Sequence, residues 1–396
     1  MRVTHVITRL IVGGAQENTV ATVLGLQTKP GLDVDLISGP TWGPEGSMEL
    51  AFAAQPNLLT IVPELVRAVH PWNDLRAVQR LTRIFQKTKP DIVHTHSGKA
   101  GILGRIAAKQ AGVPIILHTI HGPSFGSFQN SFANFVFRSA EKYAAQFTTH
   151  FIAVANAMTE QYLAAGIGTR EQYTRIFSGF PLKHFQNATN DLALRQKLGI
   201  APTDFVVGKI ARLFELKGHD DLFAIAPEVV ARCPQIKFLL VGDGQWRKRL
   251  EFRAHSLGLE KHFIFTGLIS PADVPRHVGI MDALVHLSRR EGLPRALPQA
   301  LAAGKPVVAY DCDGANEICL PDETGFLIRI GNTAELAGKI IQLAGNLELR
   351  QKFGKRGQAI VKEWFSVEQM VENIYDLYMK LSGNFGKPQL NANGHR

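Results

Sequence analysis

Apolar and polar positions along the chain fall into two alternating kinds of segment. Short runs rich in β-branched residues, such as THVITRL, DIVHTH, PIILHTIH and THFIAVA, predict strands that are buried on both faces. Between them lie longer segments whose apolar positions recur every three or four residues, which predicts helices. In NDLRAVQRLTRIFQKTKP, for example, the predicted apolar face consists of Leu75, Val78, Leu81, Ile84 and Phe85. This alternation is typical of a doubly wound parallel α/β sheet.

The alternation is interrupted once and then begins again. The segment IFSGFPLKHFQNATND, residues 176–191, is rich in turn residues and predicts a linker. After it, FVVGKIARL, IKFLLVGDG, HFIFTGL, ALVHLS and PVVAYD predict the strands of a second sheet. We therefore predict two Rossmann-like domains, residues 1–182 and 190–365, whose parallel sheets face each other across a cleft. A final helix over residues 366–382 and a flexible polar tail over residues 383–396 complete the prediction.

Composition and charge narrow the functional classes. Of the 396 residues, 45% are apolar and 20% charged, which is enough for two cores and argues against disorder. Three cysteines form no disulfide framework, and the chain shows neither a signal peptide nor an apolar run long enough for a membrane span. We therefore expect a cytoplasmic protein. The net charge of +10 favours acidic partners: phosphorylated small molecules, anionic membranes or nucleic acid.

Two glycine-rich turns lie where a predicted strand leads into a helix, the position at which backbone can approach a phosphate. They contain Gly13 and Gly14 in the first domain and Gly242 and Gly244 in the second. Neither is a complete G-x-G-x-x-G, since Arg247 occupies the third glycine position of the second turn, and a tight turn without a ligand is the alternative interpretation. The segment SGKAG, residues 97–101, lacks the hydroxyl of a magnesium-binding phosphate loop.

Acidic and histidine pairs at strands raise the question of a metal. They are DVD at residues 33–35, HTH at residues 94–96 and DCD at residues 311–313. No third ligand is recognisable at the spacing of a helical metal motif. We therefore expect no essential metal, and interpret these residues as groups that hydrogen-bond neighbouring loops.

The second domain contains a more specific set of candidate binding residues. Arg212 follows a predicted strand, Lys217 lies on the same loop, and two cations at the carboxyl edge of a sheet suit a diphosphate. Glu291 precedes a helix that we predict to begin near Pro294. Free N–H groups at a helix start stabilise phosphate oxygens, whereas a carboxylate accepts hydrogen bonds from hydroxyls. A ligand with both groups is a nucleotide sugar, and solvated surface charge is the alternative.

Five motifs, occurring in this order, resemble those of the retaining nucleotide-sugar glycosyltransferases of family 4, also called group 1, which have the GT-B fold. The motifs are GGAQENT, DIVHTHSGKAGILGRIAAKQAGVPIILHTIHG, ARLFELKG, FLLVGDG and EGLPRALPQALAAGKPVV. The similarity extends over nearly the whole chain. It implies transfer of a sugar from a UDP- or GDP-sugar to a glycan, lipid-linked or other hydroxyl acceptor, with retained anomeric configuration and no essential metal.

The resemblance also implies roles for residues of the first domain. Gly13 and Gly14 match the glycine loop beside the reaction centre, and His121 matches the histidine near the transferred sugar. The first domain binds the acceptor, for which we expect the loops at residues 42–47 and 122–130. The final helix is expected to cross back onto this domain.

In the second domain the resemblance implies a donor site. Glu291 matches the first glutamate of the E-x7-E motif and contacts the sugar hydroxyls. The cationic pair binds the diphosphate, backbone near the helix start meets the phosphates, and the segment around Phe265 holds the base. The residues assigned to donor binding are Arg212, Lys217, Gly242, Gly244, Phe265, Gly267, Leu293, Pro294, Arg295 and Gln299.

One position departs from the family pattern. The second glutamate of the motif, which binds ribose hydroxyls in the family, is Gln299 in this chain. An amide still accepts from a hydroxyl but loses a charge-assisted bond, about 1–2 kcal/mol. This affects donor affinity and nucleotide preference more than catalysis. A degenerate donor site is the weaker interpretation, because Arg212, Lys217, Glu291 and His121 are all present.

Other functional classes make distinct sequence predictions. A nucleotide-sugar epimerase of the same fold would convert its donor without an acceptor, and an NAD-dependent oxidoreductase would need the complete glycine motif. Nucleic-acid binding would need basic runs with interleaved aromatic residues. The basic residues Arg76, Arg80, Arg83, Lys87 and Lys89 instead follow the polar face of one helix. This face is either simply solvated or makes peripheral contact with an anionic inner membrane, where lipid-linked acceptors are found.

Overall fold

A computed structural model describes residues 1–42, 46–126 and 129–385 of the chain. These residues form two compact units, one comprising Met1–Phe180 together with the helix that begins at Val367, the other comprising Pro181–Ser366. Each unit is built around one parallel sheet.

The N-terminal unit alternates strands and helices. Its strands are β1 (Arg2–Ile7), β2 (Asp33–Ser38), β3 (Leu59–Ile61), β4 (Ile92–His96), β5 (Ile115–Ile120), β6 (His150–Ala153) and β7 (Tyr173–Arg175). Its helices are α1 (Gly14–Leu26), α2 (Pro71–Thr88), α3 (Gly98–Ala111), α4 (Ser131–Ala145) and α5 (Asn156–Ala164). Short 3₁₀ turns cover Glu49–Phe52, Pro56–Leu58 and Arg170–Gln172.

The sheet of this unit has the order β3-β2-β1-β4-β5-β6-β7, and every neighbouring pair is parallel. Because the strands are parallel, their carboxyl ends meet at one edge, where open α/β sheets bind ligands. One face packs Val3 and Ile7 against Val23 of α1, and the other packs Val6 and Val93 against helices α2 and α3. Burial on both faces explains the near-continuous apolar strands.

The last helix returns to the N-terminal unit, as the resemblance implied. This helix continues the numbering as α14 (Val367–Phe385), after the helices of the C-terminal unit. It packs against α1, where Gly25 lies so close to Val371 that an added Cβ would stand 2.4 Å from its side chain. Lys29 and Glu372 pair across the same contact, and Tyr378 is fully buried. The last described helix is therefore part of the same unit as the first strand.

The C-terminal unit repeats the same plan. Its strands are β8 (Phe205–Ile210), β9 (Ile236–Val241), β10 (Phe263–Gly267), β11 (Ala283–His286), β12 (Val307–Tyr310) and β13 (Gly325–Ile328). Its helices are α6 (Leu182–Gln186), α7 (Leu192–Lys197), α8 (His219–Arg232), α9 (Arg247–Ser256), α10 (Val274–Gly279), α11 (Ala296–Ala302), α12 (Thr333–Gly345) and α13 (Leu347–Trp364). Further 3₁₀ turns cover Pro271–Asp273 and Asp313–Glu317.

The second sheet has the order β10-β9-β8-β11-β12-β13, again with every neighbouring pair parallel. Its core joins Phe238 and Val285 of the sheet to Phe223 of α8, Leu336 of α12 and Phe353 of α13. The first strand of each unit lies inside its sheet, so the loop after it opens at the centre of the carboxyl edge. Two parallel-sheet α/β domains are confirmed.

The structure corrects several local predictions. The short elements β3, β7, α5 and α7 were missed, and α6 lies inside the segment predicted as a linker. Leu75, predicted to face the core, is exposed, whereas Val78, Leu81 and Phe85 are buried. Helix α11 begins at Ala296 rather than near Pro294. In the described part of the chain, no helix combines the length and the apolar character needed to cross a bilayer.

Candidate active site

The carboxyl edge of the C-terminal sheet gathers most of the predicted donor residues. Arg212 lies just beyond β8 and Gly242 directly follows β9, while Gly267 ends β10. Glu291 lies on the loop after β11. Neighbouring strands of one parallel sheet therefore bring these residues to a common edge, as their strand-end positions predicted.

Two contacts fix the loop that carries Lys217. Gly218 has a φ of 65°, and a Cβ there would lie 2.0 Å from the carbonyl oxygen of Leu287. Only glycine tolerates both this backbone conformation and this approach. The carbonyl of Leu216 accepts a 2.8 Å hydrogen bond from the Arg289 N–H. The Lys217 loop is therefore held against the loop that carries Glu291.

Lys217 and Glu291 form an ion pair at the centre of this edge, through Lys217 Nζ and Glu291 Oε1. Both side chains are about one-fifth exposed, at 19% and 23%. Burial raises the pKa of the Glu291 carboxyl, but the charge and hydrogen bond of Lys217 together with His286 and Ser288 outweigh burial and bring that pKa below its ordinary value. The Glu291 N–H donates to Asp313 Oδ2 at 2.7 Å. Glu291 is therefore an ionised acceptor with a fixed backbone.

Two buried bases lie beside this pair. His286 Nε2 is 3.7 Å from Glu291 Oε1, and burial lowers the pKa of His286 to about 4, so its ring is neutral near pH 7. Lys209, on β8, is 2% exposed. Burial, aided by the charge of Lys217, lowers the pKa of Lys209 to about 7 against the opposing effect of Glu291 and Asp221. The charge at this edge therefore depends on pH near neutrality.

Arg212 projects from the same edge into solvent. Its guanidinium lies 5.8 Å from the ring centroid of Phe214, and no carboxylate within residues 1–42, 46–126 and 129–385 pairs with it. Its carbonyl accepts a 3.0 Å hydrogen bond from His219 Nε2, which anchors the backbone. An anchored loop with an exposed cation suits an anionic ligand.

The second glycine turn packs directly against this loop. Gly242 and Gly244 have φ values of 134° and 159°, and added Cβ atoms would lie 2.3 Å from the Ala211 carbonyl oxygen and 2.4 Å from that of Leu213. Arg247, at the third glycine position of the motif, pairs with Asp243 at 3.1 Å and with Glu251 at 2.8 Å. Close packing of this turn therefore requires its glycines whether or not a ligand binds there. A tight turn without a ligand was the alternative that the sequence left open.

The remaining predicted donor residues lie around β10 and α11. Phe265 is half-buried against the core, and Gly267 turns with a φ of 73°. Leu293 and Pro294 are buried and Arg295 is half-buried, directly before α11. Gln299 is half-buried within α11, and no side chain or backbone group in the described part of the chain hydrogen-bonds its amide. The carbonyl and N–H₂ of Gln299 are therefore available to a ligand.

The N-terminal unit places its predicted residues at the equivalent edge. Gly13 joins β1 to α1 with an extended backbone, φ 172°, and Gly14 is the first residue of that helix. His121 directly follows β5. Of the predicted acceptor loops, residues 43–45 and 127–128 lie outside the described residues.

His121 belongs to a cluster of imidazoles that sequence reasoning did not assemble. Its Nε2 is 3.1 Å from His96 Nδ1, and His96 Nε2 is 2.9 Å from Nδ1 of His5. His5 Nε2 is 3.3 Å from the hydroxyl of Tyr378, which in turn is 2.5 Å from His94 Nδ1. The Nε2 of His94 lies 2.6 Å from the Thr119 hydroxyl. These six side chains form one continuous series of hydrogen bonds.

Burial determines the charge of this cluster. His5 and His94 are 0% exposed and His96 is 1% exposed. Burial lowers the pKa of His5 to about 3 and holds the pKa values of His94 and His96 well below the ordinary histidine value. Burial also raises the pKa of the Tyr378 hydroxyl well above its ordinary value. At neutral pH these groups are therefore uncharged.

The HTH segment thus acquires a third histidine from β1, since His5 and His94 are direct partners in the β1–β4 register. Ligand atoms of His5, His94 and His96 lie within 4.8 Å of one another, so the three could hold a metal ion. Every ring nitrogen of these three has a hydrogen-bond partner. The apolar pattern of β1 and β4 indicates that these histidines are buried. It does not indicate that the two strands are neighbours, so the cluster could not be predicted.

The other acidic pairs and the SGKAG segment have structural partners. Arg2 lies 3.6 Å from Asp33 and 3.3 Å from Asp35. Lys99 of SGKAG is 2.5 Å from Asp74. The DVD carboxylates therefore pair with a side chain of the neighbouring strand β1 rather than with a loop.

Two family models match the chain. The model for Glycosyl transferases group 1 matches residues 190–360, and the model for the Glycosyl transferase 4-like domain matches residues 13–176. The matched regions fall in the C-terminal and the N-terminal unit, respectively.

Individual proteins are similar over most of the chain. The UDP-Gal:alpha-D-GlcNAc-diphosphoundecaprenol alpha-1,3-galactosyltransferase of Escherichia coli is 30% identical over 328 residues, covering 82% of this chain and 84% of that protein. The capsular polysaccharide biosynthesis glycosyltransferase CapM of Staphylococcus aureus is 24% identical over 340 residues, covering 82% and 87%. Anabaena Alr3699/HepE in complex with UDP-glucose superposes with a TM-score of 0.78 at 25% identity, covering 96% of this chain and 100% of that one. The chain belongs to the group 1 glycosyltransferases of family 4 and has their GT-B fold.

Proposed function

We propose that this glycosyltransferase moves a sugar from a UDP-sugar to a hydroxyl acceptor in cell-surface polysaccharide or glycolipid synthesis, with retention of anomeric configuration. The observation that carries the proposal is the Lys217–Glu291 pair with Arg212 beside it, at the carboxyl edge of the C-terminal sheet. The galactosyltransferase relative, named for a UDP-sugar, and HepE, solved with UDP-glucose, support UDP as the nucleotide. Relatives at 25–26% identity are named as GDP-mannose-dependent, so the donor panel below includes both nucleotides. The name of the galactosyltransferase describes a sugar transfer and that of HepE a complex with a nucleotide sugar. Neither name supports the alternative functions of epimerase or oxidoreductase.

The chemistry assigned to the donor site is electrostatic. As the bond to the sugar breaks, negative charge develops on the leaving UDP, and Arg212 and Lys217 stabilise it from fixed loops. Such cations replace the role that a divalent ion has in other transferases, so we propose that transfer needs no metal. Glu291 accepts hydrogen bonds from donor hydroxyls, and its ionised state strengthens them.

Two further polar side chains, one in each unit, are assigned to the substrates. Gln299 accepts from a ribose hydroxyl through its amide carbonyl, the contact that a glutamate makes in the family. His121 lies at the carboxyl edge of the N-terminal sheet, and we assign it to the transferred sugar. In front-face attack the acceptor hydroxyl itself attacks the sugar, so no enzymatic nucleophile is needed. An oxygen of the leaving phosphate takes the acceptor proton.

A lipid-linked acceptor fits the surface of α2. The basic side chains of this helix are all exposed: Arg76, Arg80, Arg83, Lys87 and Lys89. At its start, Val69, Trp72 and Leu75 are 68%, 71% and 50% exposed. Apolar side chains beside exposed cations are typical of interfacial helices, so we propose peripheral contact of this surface with an anionic membrane on its cytoplasmic side.

Vesicle flotation tests the membrane contact. The full chain should float with phosphatidylglycerol-containing vesicles and not with phosphatidylcholine vesicles, and a Trp72→Ser, Arg80→Gln, Arg83→Gln variant should bind at least about fivefold more weakly. The matched control is Leu347→Ser, Arg350→Gln, Lys352→Gln on α13. Equal flotation of wild type with both vesicle types would contradict the proposal.

A panel of nucleotide sugars tests the transferase function itself. Purified protein is incubated with UDP- and GDP-sugars and with lipid-diphosphate-linked or free glycan acceptors, while nucleoside diphosphate release and thermal stabilisation are measured. We expect stabilisation by UDP and acceptor-dependent release of UDP in the presence of EDTA. Neither stabilisation nor turnover with any donor would refute the proposal, and turnover lost in EDTA would refute its metal-free form.

A further inference from the structure

The first turn of α8 is connected to both ends of the loop that carries the two predicted donor cations. His219 Nε2 donates to the Arg212 carbonyl at 3.0 Å, which fixes the start of the loop. At the other end, the Leu216 carbonyl accepts a 2.8 Å hydrogen bond from the Arg289 N–H. The side chain of Arg289 in turn pairs with Asp221, two residues after His219 in α8. One helical turn therefore restrains the backbone before each cation.

The ion pair between Asp221 and Arg289 has a rigid acceptor. Arg289 Nη2 lies 2.7 Å from Asp221 Oδ2 and 3.0 Å from Oδ1. The hydroxyl of Tyr310, at the end of β12, donates to Asp221 Oδ2 at 2.9 Å. Tyr310 is fully buried and the Asp221 side chain is 13% exposed, whereas the Arg289 side chain is 43% exposed. A fixed carboxylate therefore restrains the more mobile arginine that holds Leu216.

The backbone at Leu216 requires such a restraint. Its φ is 66°, in the left-handed region that bulky side chains rarely adopt. Gly218 has nearly the same φ, 65°, but glycine adopts it without a steric penalty. Lys217 thus lies between two left-handed residues, of which one is sterically disfavoured. A disfavoured conformation persists only where surrounding contacts maintain it.

We propose that Asp221 is a positioning residue of the donor site, which acts on Lys217 through Arg289. Asp221 restrains Arg289, whose N–H holds Leu216 in the left-handed conformation. That conformation directs Lys217 toward Glu291, so the cation is in place before the donor binds. The inference rests on the role proposed for Lys217 in binding the donor diphosphate.

Geometry and charge predict opposite effects of neutralising this carboxylate. Asp221→Asn removes one negative charge near a site for an anionic ligand, which by electrostatics alone tightens UDP binding. The same substitution replaces a charge-assisted contact to Arg289 with a weaker one, which by the positioning role weakens UDP binding. Asparagine has nearly the same shape as aspartate, so no cavity forms. The sign of the change in affinity therefore separates the two effects.

A second route from Asp221 to the donor runs through Lys209. Burial lowers the pKa of Lys209, and the charge of Asp221 opposes this shift, so losing the carboxylate also favours the neutral lysine. Lys209→Met removes this route, whereas Lys217→Met removes the proposed one. An effect of Asp221→Asn that persists in the first background and vanishes in the second identifies Lys217 as the residue through which Asp221 acts.

Calorimetric titration of the full chain with UDP tests the proposal, at concentrations up to millimolar so that weak binding remains measurable. We expect Asp221→Asn to weaken UDP binding about five- to tenfold in wild-type protein and by a similar factor in Lys209→Met. In Lys217→Met the same substitution should change the affinity less than about 1.5-fold.

The matched control is Asp220→Asn, one residue earlier in the same helical turn. Asp220 pairs with Arg249 at 2.9 Å and with Arg253 at 2.6 Å, both on α9. Asp220→Asn removes the same charge from the same end of α8, but it leaves the Asp221–Arg289 contact intact. UDP affinity should therefore change less than about 1.5-fold or increase slightly.

A variant on the other side of the ion pair keeps the test decisive if Asp221→Asn does not fold. Arg289→Gln retains the backbone N–H but loses the contact to Asp221, and its exposed side chain makes misfolding unimportant. It should weaken UDP binding at least as much as Asp221→Asn, and the double variant should fall within about twofold of Arg289→Gln because both changes break one contact. Thermal denaturation of each variant shows which of them are folded.

Several results would overturn the proposal. They are unchanged or tighter UDP binding in folded Asp221→Asn, a weakening that persists in Lys217→Met or disappears in Lys209→Met, and additive effects of Asp221→Asn and Arg289→Gln. A lower Tm without a change in UDP affinity would assign Asp221 to stability alone and would also overturn it. Absence of UDP binding by wild-type protein would refute the proposed function instead, so the two failures are distinguishable.

Discussion

The two sheets of this glycosyltransferase share the order of their first six strands but carry different kinds of polar group at their carboxyl edges. The N-terminal edge holds neutral imidazoles that are almost completely buried, and the C-terminal edge holds an ion pair, Lys217–Glu291, that is about one-fifth exposed. Burial favours the neutral form of histidine, whereas partial exposure keeps lysine and glutamate ionised. One scaffold therefore offers tautomer-dependent hydrogen bonding at one edge and electrostatic stabilisation at the other.

The N-terminal unit also contains a buried ion pair, which is separate from the imidazole cluster of His5, His94 and His96. Arg105 of α3 and Glu141 of α4 form an ion pair at 2.5 Å, and both side chains are 0% exposed. Arg105 also donates to the Gly101 carbonyl and to the Thr148 hydroxyl. The pair joins two helices, so its expected contribution is to stability, in contrast to the partly exposed Lys217–Glu291 pair of the other unit, which we assign to the donor site.

The largest predicted effect is on this buried pair. Glu141→Ala should lower the free energy of unfolding by about 3–5 kcal/mol, because it leaves the Arg105 guanidinium buried without a counter-charge. Urea denaturation measures the change. The control is Glu160→Ala, which removes the exposed Arg170–Glu160 pair and should change the free energy of unfolding far less. If both variants lowered the free energy of unfolding equally, burial would not explain the contribution of the Arg105–Glu141 pair.

The next effect concerns function. Glu291→Gln should lower kcat/KM about 100-fold, because an amide cannot give donor hydroxyls a charge-assisted bond and leaves Lys217 without its counter-charge. The control, Glu323→Gln, breaks the half-exposed Arg356–Glu323 pair of the same unit and should leave turnover unchanged. Full activity of Glu291→Gln would exclude Glu291 from the donor site.

Lys209 sharpens the comparison through pH. Its pKa in the folded protein is about 7, below that of an exposed lysine. Below pH 7 the lysine is charged in both states, but the folded state buries this charge whereas the unfolded state leaves it in water. As pH rises from 7 toward 10.5, the folded protein loses this proton first, and wild-type stability should increase. Lys209→Met should therefore stabilise the protein at pH 6 by about 1–3 kcal/mol, and the gain should shrink by pH 9.

Thermal denaturation across this pH range measures the effect of Lys209. The control is Lys237→Met on the neighbouring strand β9, where the ammonium donates to the Lys261 carbonyl at the surface. That variant should show no gain confined to low pH. Destabilisation by Lys209→Met at pH 6 would mean that the Lys209 charge is well compensated by Glu291 and Asp221.

Sequence reasoning predicted what depends on local pattern. Buried strands, amphipathic helices and the strand-end positions of Arg212, Glu291 and His121 follow from apolar periodicity, and the alternation of strands and helices predicted the two parallel sheets. Short elements such as α5 and β7 were missed because a few residues carry too little periodicity to distinguish from loop. Leu75 fits the apolar face of α2 by spacing, yet it lies near the start of the helix, before the first buried residue, Ala77.

Contacts between distant segments could not be predicted in the same way. His5 meets His94 because β1 and β4 are neighbours, and Tyr378 joins them because α14 returns to the first unit. Periodicity says that each of these residues is buried but not which strands adjoin. The low pKa of Lys209 likewise depends on burial of its side chain in the folded unit, which the local pattern of β8 does not reveal. These tertiary contacts are what distinguish the two edges chemically.

The smallest predicted effect is at the position where the sequence departs from its family. Gln299→Glu should tighten UDP binding about three- to tenfold, because a carboxylate forms a stronger bond to the ribose hydroxyls than an amide does. The amide has no hydrogen-bond partner in the described part of the chain, so the substitution breaks no contact. Calorimetric titration with UDP measures the change, with Gln342→Glu on the exposed face of α12 as the control. Equal affinity in both variants and wild type would place Gln299 away from the ribose, whereas weaker binding would mean that the amide N–H₂ donates to the nucleotide.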